Sequence, residues 1–182
     1  MGRQLQLAVF ASGRGSNFSA IAASAEAGTL HADIRVLVTN NPGAGAITTA
    51  RKYAVPFEVI NRRDFNRRKD FIRALEECLR RRSVDFIALA GYMKKIPKEI
   101  VEQYHNRILN IHPGLLPHFG GKGLYGEHVH RAVLESGCKV TGVTVHLVDD
   151  RYDHGPIVAQ RCVPVKTGDS PAGLAKRVLA VE

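Results

Sequence analysis

Three groups of residues in this 182-residue chain have types and spacings that could carry chemistry. The first is Asn110-Ile111-His112-Pro113. Strand side chains alternate, so in a strand Asn110 and His112 point to one face. An amide N–H can hydrogen-bond a developing oxyanion, and an imidazole can give or take a proton at the same centre. The pair therefore suits acyl chemistry. A structural histidine held at a strand end is the competing reading, and the residues alone leave the two even. The second group is Ala11-Ser12-Gly13-Arg14-Gly15-Ser16-Asn17. Glycines let backbone amides turn toward an anion, and a following helix adds free N–H groups and the positive end of its dipole. This is either a phosphate cradle or a tight strand-to-helix turn with Ser16 as the N-cap. The third is Asp153, before His154-Gly155-Pro156. A carboxylate folded back onto His112 would raise the histidine's pKa and could orient a water. Spacing alone favours an ordinary turn aspartate there.

The glycine loop is not a dinucleotide fingerprint. It lacks the third glycine, and the second strand ends Val38-Thr39-Asn40-Asn41, without the acidic residue that meets a ribose hydroxyl. No Walker-type loop occurs, so a phosphate monoester such as a phosphoribosyl group fits better than NAD or ATP. His128-x-His130 is the nearest thing to a metal motif. Positions i and i+2 of a helix do not face each other, so no metal is expected. His146 is read as structural, or as lying behind the site.

The elements that must position these residues alternate. Strands are predicted over 5–11, 34–39, 57–60, 84–90 and 108–111. Helices are predicted over 16–27, 42–53, 66–82 and 126–136, with a short one after Pro97. The sequence then changes character. Residues 140–148 and 157–165 read as an antiparallel pair, and 169–182 as a terminal helix. The alternation implies an α/β fold with a mainly parallel sheet flanked by helices, and ligands beyond the carboxyl ends of its strands. The whole of 1–182 reads as one domain, divided at about 108 and 109 into two halves.

Composition is that of an ordinary globular chain, 45% hydrophobic and 24% charged. The three cysteines form no CxxC pair, which fits a reducing cytoplasm better than a disulfide framework. No secretory signal or membrane-spanning stretch is evident. The net charge is +9, and residues 62–82 hold nine Lys or Arg against four Asp or Glu. That segment is either a solvated helix face or, through Arg68 with Lys94 and Lys95, an attractor of an anionic ligand tail. Nucleic acid is disfavoured, because no RNP-type aromatic motif accompanies the charge.

Taken together, the motifs resemble the phosphoribosylglycinamide formyltransferases, the folate-dependent enzymes of purine synthesis. The resemblance runs through Ser12–Asn17, Leu89-Ala90-Gly91-Tyr92-Met93, Asn110-Ile111-His112-Pro113-Gly114-Leu115-Leu116-Pro117, Gly142-Val143-Thr144-Val145-His146 and Asp153-His154-Gly155-Pro156. It implies a Rossmann-like formyltransferase fold, with residues 1–108 binding the phosphoribosyl group and 109–182 forming the catalytic and folate side. The implied reaction carries the formyl group of 10-formyltetrahydrofolate, a co-substrate, to the amine of glycinamide ribonucleotide, without a metal. Gly15, Ser16 and Asn17 would hold the ribonucleotide phosphate, and Glu182 would contact the ribonucleotide. Asn110 would stabilise the oxyanion and His112 would be the general acid. Asp153 would raise the pKa of His112 and help the proton leave the amine. Arg68, Met93, Lys94, Lys95, Ile96, Asn110, Asp149 and Asp150 match folate-contacting positions. The implied partners are these small molecules, with no nucleic acid or membrane, in a monomer or homodimer.

The chain departs from the family at several points. Gly114 stands where serine is usual, and Lys94-Lys95 replaces an Arg-apolar pair. Residues 120–127 form a longer loop. The last predicted helix stops at Glu182 where the family continues, so a C-terminal truncation is expected. Methionyl-tRNA formyltransferases normally carry an additional C-terminal domain and formyl-folate hydrolases an extra segment before the catalytic domain, and neither is expected here.

Overall fold

The computed structural model describes residues 3–182. The chain divides into two compact units, Met1–Ile108 and Leu109–Glu182.

In the first unit, strands β1 (Leu5–Phe10), β2 (Ala32–Thr39), β3 (Phe57–Val59) and β4 (Phe86–Leu89) alternate with helices α1 (Ser16–Glu26), α2 (Ala46–Lys52), α3 (Arg68–Arg81) and α4 (Lys98–Gln103). β1 pairs in parallel with both β2 and β4, and β2 in parallel with β3. Covered on both faces, β1 can be apolar without alternation from Leu7 to Phe10, after Gln6. Ala8, Val9 and Phe10 are wholly buried. Leu7 and Val9 join Phe18 and Ala22 of α1 and Ile47 and Ala50 of α2 in one core. α3 buries Phe71, Ile72, Leu75, Cys78 and Leu79, the residues whose helical spacing predicted it.

In the second unit, β5 (Ile108–His112, all but its first residue here), β6 (Val140–Leu147) and β7 (Ile157–Pro164) accompany α5 (Glu127–Glu135) and α6 (Pro171–Leu179). β6 runs antiparallel to both β5 and β7. Val133 of α5, Val143, Val163, and Leu174 and Val178 of α6 form its core. No helix among the described residues is long and apolar enough to cross a membrane.

Several boundaries differ from the sequence expectation. The helix predicted from residue 42 begins at Ala46, because the Asn41 side chain accepts the Gly43 N–H at 3.0 Å and holds a turn first. A 3-10 turn, Arg62–Asp64, precedes α3 and is capped by Asn61. The terminal helix starts at Pro171, where the Ser170 hydroxyl accepts the Gly173 N–H. It ends at Leu179, so Glu182 lies beyond it rather than inside it.

Candidate active site

The second unit gathers Asn110, His112, His146 and Asp153. Strand register does most of the positioning. Asn110 stands directly opposite His146, and His112 opposite Thr144. The four side chains therefore share one face of the sheet. Asp153 arrives from the loop between β6 and β7 with a left-handed backbone, φ 51, a conformation that Asp tolerates better than most residues. Its carboxylate Oδ2 accepts the Gly121 N–H at 3.0 Å and lies 3.6 Å from Nδ1 of His112. Its Oδ1 is 3.6 Å from Nε2 of His146 and 3.5 Å from Nδ2 of Asn110. The plain turn-aspartate reading therefore fails: the carboxylate is turned inward, between two imidazoles.

Hydrogen bonds settle the orientation of each group. Nε2 of His112 is 2.6 Å from the Phe119 carbonyl. A carbonyl only accepts, so Nε2 carries the proton and Nδ1 faces Asp153. Nδ1 of His146 donates to the Leu147 carbonyl at 2.8 Å. Without a proton, Nε2 of His146 takes an N–H from Asn110 at 3.1 Å, and with one it faces the Asp153 carboxylate. This assigns the Asn110 amide nitrogen, not its oxygen, to the interior. The second Asn110 N–H has only the long 3.5 Å contact to Asp153 and is the donor open to a ligand oxygen. Thr144 secures the turn after His112, donating to the Gly114 carbonyl at 2.7 Å and accepting from the Leu116 N–H and from Gln160.

Burial lowers the pKa of His112 and is the largest effect. Asp153 pulls it upward, the direction the resemblance implies, and so does the bond to Phe119, but the net pKa lies below the ordinary histidine value. His112 is only 3% exposed, and its charged form is poorly solvated there. Glu182 adds a smaller upward pull on His112, which ties it electrically to this cluster. Burial pushes the Asp153 carboxyl up. The His146 contact, the Gly121 amide and the two imidazoles together outweigh this and hold it below the usual aspartate value.

His128 and His130 part company as expected for i and i+2: His128 is exposed beside Tyr125, and His130 is buried on α5. Nδ1 of His130 has no hydrogen-bond partner among the described residues, and burial lowers its pKa. No three His, Cys, Asp or Glu side chains converge as metal ligands among the described residues.

In the first unit, the glycine loop joins β1 to α1. Gly15, not Ser16, is the N-cap, at φ 81. A Cβ on Gly15 would stand 2.7 Å from the Ala46 Cα, and the Ala46 N–H donates to the Gly13 carbonyl at 3.1 Å. The loop is thus braced against the start of α2. Ser16 is exposed at the first turn of α1 and Asn17 is half-buried. The first N–H groups of a helix have no intrahelical acceptor, so this turn has donors of the kind an anion takes.

The other predicted positions are scattered in character. Arg68 is engaged by Glu99, with its two nitrogens 2.5 and 2.8 Å from the carboxylate. Arg67 pairs with Asp70, and Arg81 and Arg82 share Glu58, so part of the basic segment is charge-paired on the surface. Met93, Lys94 and Lys95 are exposed, whereas the Ile96 side chain is buried, leaving mainly its backbone for a ligand. Asp149 is bonded to His154 at 2.8 Å and to the Arg151 N–H, and Asp150 is exposed. Sequence reasoning underrated His146 and missed Thr144. The available signal was period 2 along β6, which aligns both residues, but it needs the register with β5 to be useful.

Fold and site together define a class: α/β proteins with a hydrogen-bonded amide, imidazole and carboxylate cluster at a strand end and a separate glycine loop before a helix. Comparison with known proteins narrows this. The model of the formyl transferase family matches residues 5–182, and the chain belongs to that family. It is 46% identical to the chloroplastic phosphoribosylglycinamide formyltransferase of Vigna unguiculata, over 99% of this chain and 58% of the relative. It is 36% identical to the phosphoribosylglycinamide formyltransferase of Bacillus subtilis, over 97% of this chain and 88% of the relative. The glycinamide ribonucleotide transformylase 1 structure from Symbiobacterium toebii superposes with a TM-score of 0.92 at 36% identity, covering 100% of this chain and 83% of that one. The chain spans about three fifths of the length of two chloroplastic relatives.

Proposed function

We propose that this chain transfers the formyl group of 10-formyltetrahydrofolate to the amine of glycinamide ribonucleotide, giving formylglycinamide ribonucleotide and tetrahydrofolate. The observation that carries the reading is the placement of Asp153 beside both Nδ1 of His112 and the Asn110–His146 pair. The names of the relatives support the same assignment.

In this reading the open N–H of Asn110 donates to the formyl oxygen as the amine attacks and negative charge develops there. Asp153 accepts the amine proton, directly or through a water, and can pass it to Nδ1 of His112. The Nε2 proton of His112, held by the Phe119 carbonyl in the free protein, goes to the departing folate nitrogen. One proton leaves the attacking amine and one reaches the leaving amine, so the exchange balances without a metal. The lowered pKa of His112 favours this neutral starting form over a standing imidazolium.

Gly15, Ser16 and Asn17 would hold the ribonucleotide phosphate through backbone amides and side-chain donors, with Glu182 at the ribonucleotide. Met93, Lys94, Lys95, Ile96, Asn110, Asp149 and Asp150 would meet the folate, largely through backbone groups. Arg68 would reach a folate tail only by giving up Glu99. The partners are small molecules, with neither nucleic acid nor membrane involved, and the protein is a monomer or homodimer. Three free thiols at Cys78, Cys138 and Cys162 support a reducing compartment such as the cytoplasm. The deciding assay supplies 10-formyltetrahydrofolate with and without glycinamide ribonucleotide. Formyl transfer only with the amine supports the proposal. Tetrahydrofolate release without it would establish hydrolysis instead.

A further inference from the structure

Ser12 lies at the carboxyl end of β1, only 8% exposed. Its hydroxyl donates to Oδ1 of Asn40 at 2.5 Å and accepts the Met93 backbone N–H at 2.8 Å. Its own N–H donates to the Gly91 carbonyl at 3.1 Å, and its carbonyl accepts from the Asn41 side chain at 3.2 Å. One residue thus joins the ends of β1, β2 and β4. The Met93 side chain is 54% exposed, so packing does little to place it. The Tyr92 ring lies edge-on to Phe10, with centroids 5.2 Å apart, and fixes the residue before it. The hydroxyl of Ser12 is what fixes Met93 itself.

We propose that Ser12 is a positioning residue for the formyl donor: aimed by Asn40, its hydroxyl holds the Met93 backbone and so presents the 93–96 segment to the folate. This rests on the formyl-transfer reading above. The direction of the hydroxyl matters. Its one proton is committed to Asn40, so a lone pair must face the Met93 N–H. Removing it leaves a donor and an acceptor unmatched in a partly buried place, and the Met93 backbone is then free to turn toward water ahead of the buried Ile96. The phosphate loop has separate anchors, the Ala46 N–H on the Gly13 carbonyl and the close approach of Ala46 to Gly15. Loss of the hydroxyl should therefore be felt by the folate and not by the ribonucleotide.

The test compares wild type with Ser12→Ala and Ser12→Thr. Calorimetry gives the dissociation constants of an unreactive folate analogue and of glycinamide ribonucleotide, and NMR gives the solvent exchange of the Met93 amide in the free protein. Ser12→Ala is expected to weaken the analogue by about tenfold, the scale of one lost hydrogen bond. It should also speed Met93 exchange and leave ribonucleotide affinity essentially unchanged. Ser12→Thr, which keeps the hydroxyl, should restore both properties. Unchanged analogue affinity in Ser12→Ala, equal weakening of both ligands, or unchanged Met93 exchange overturns the proposal. If Ser12→Ala does not fold, Asn40→Ala is read by the same criteria, with a smaller loss of about threefold because the hydroxyl remains but loses its aim. A wild-type protein that binds ribonucleotide but no folate analogue refutes the formyl-donor reading and this inference with it. A wild type that binds both, with Ser12→Ala indistinguishable from it, refutes only the role of Ser12.

Discussion

Gly15→Ala isolates what the glycine loop requires of its backbone. Gly15 sits at φ 81, and its added Cβ would lie 2.7 Å from the Cα and 2.8 Å from the Cβ of Ala46. The left-handed backbone costs an L-residue about 1–2 kcal/mol. The overlap is with backbone at the start of α2, which cannot rotate away as a long side chain would, and forced overpacking costs about 1–3 kcal/mol. Together these predict a loss of about 2–5 kcal/mol, or a Tm lower by roughly 4–20 °C for a chain of this size. Gly13→Ala is the control. A Cβ there meets nothing within 4 Å, so the change should stay within about 0.5 kcal/mol. Calorimetric melting of both variants reads stability, and titration with glycinamide ribonucleotide reads the loop. Gly15→Ala should lose ribonucleotide affinity together with stability, because relieving the clash moves the first turn of α1. A Tm within 2 °C of wild type in Gly15→Ala, or equal losses in the two variants, would refute the reasoning.

Other outcomes follow from the cluster in the second unit. His112→Ala should lower turnover by about 10²–10⁴, the range for removing a general acid–base group, and Asn110→Ala by about 10²–10³, the range for an oxyanion donor; steady-state kinetics showing either variant near wild type would contradict those roles. The pKa values of His112 and His130 are lowered in the folded protein. The unfolded chain therefore binds more protons just below the ordinary histidine value of about 6.5. Stability should be complete above that pH and decline as pH falls through the lowered folded values. Urea melts across this range check the sign, and His112→Gln should flatten part of the slope. Gly114→Ser places a Cβ 2.9 Å from Cγ1 of Val129 and 3.1 Å from Nε2 of His112. The valine methyl can yield in part, so a loss of about 1 kcal/mol is expected, and a thermal melt showing stabilisation would count against the packing described.

Local patterns in the chain were enough for the elements. The spacing of Phe71, Ile72, Leu75, Cys78 and Leu79 marks α3, because burial of one helical face imposes that period. The apolar run before Ser12 marks β1, because a strand covered on both sides has no need to alternate. Boundaries were less legible where a side chain competes with the helix, as Asn41 does ahead of α2. The cap of α1 is Gly15 rather than the Ser16 that the tight-turn alternative offers, for a related reason. Serine is a good cap by type, but the close approach of Ala46 selects glycine at position 15.

The sequence by itself determined which residues could act and which of them share a face. Period 2 puts Asn110 with His112, and the glycine loop between a strand and a helix reads as either an anion cradle or a tight turn. Tertiary structure alone decided who stands opposite whom. A slip of one residue between β5 and β6 would turn His146 and Thr144 away from Asn110 and His112. It also decided that Asp153, which local spacing reads as a turn residue, reaches both imidazoles. Finally, it decided the direction in which the pKa of His112 moves. A carboxylate raises it and burial lowers it, and that contest depends on distances and solvent exclusion supplied by residues far apart in the chain.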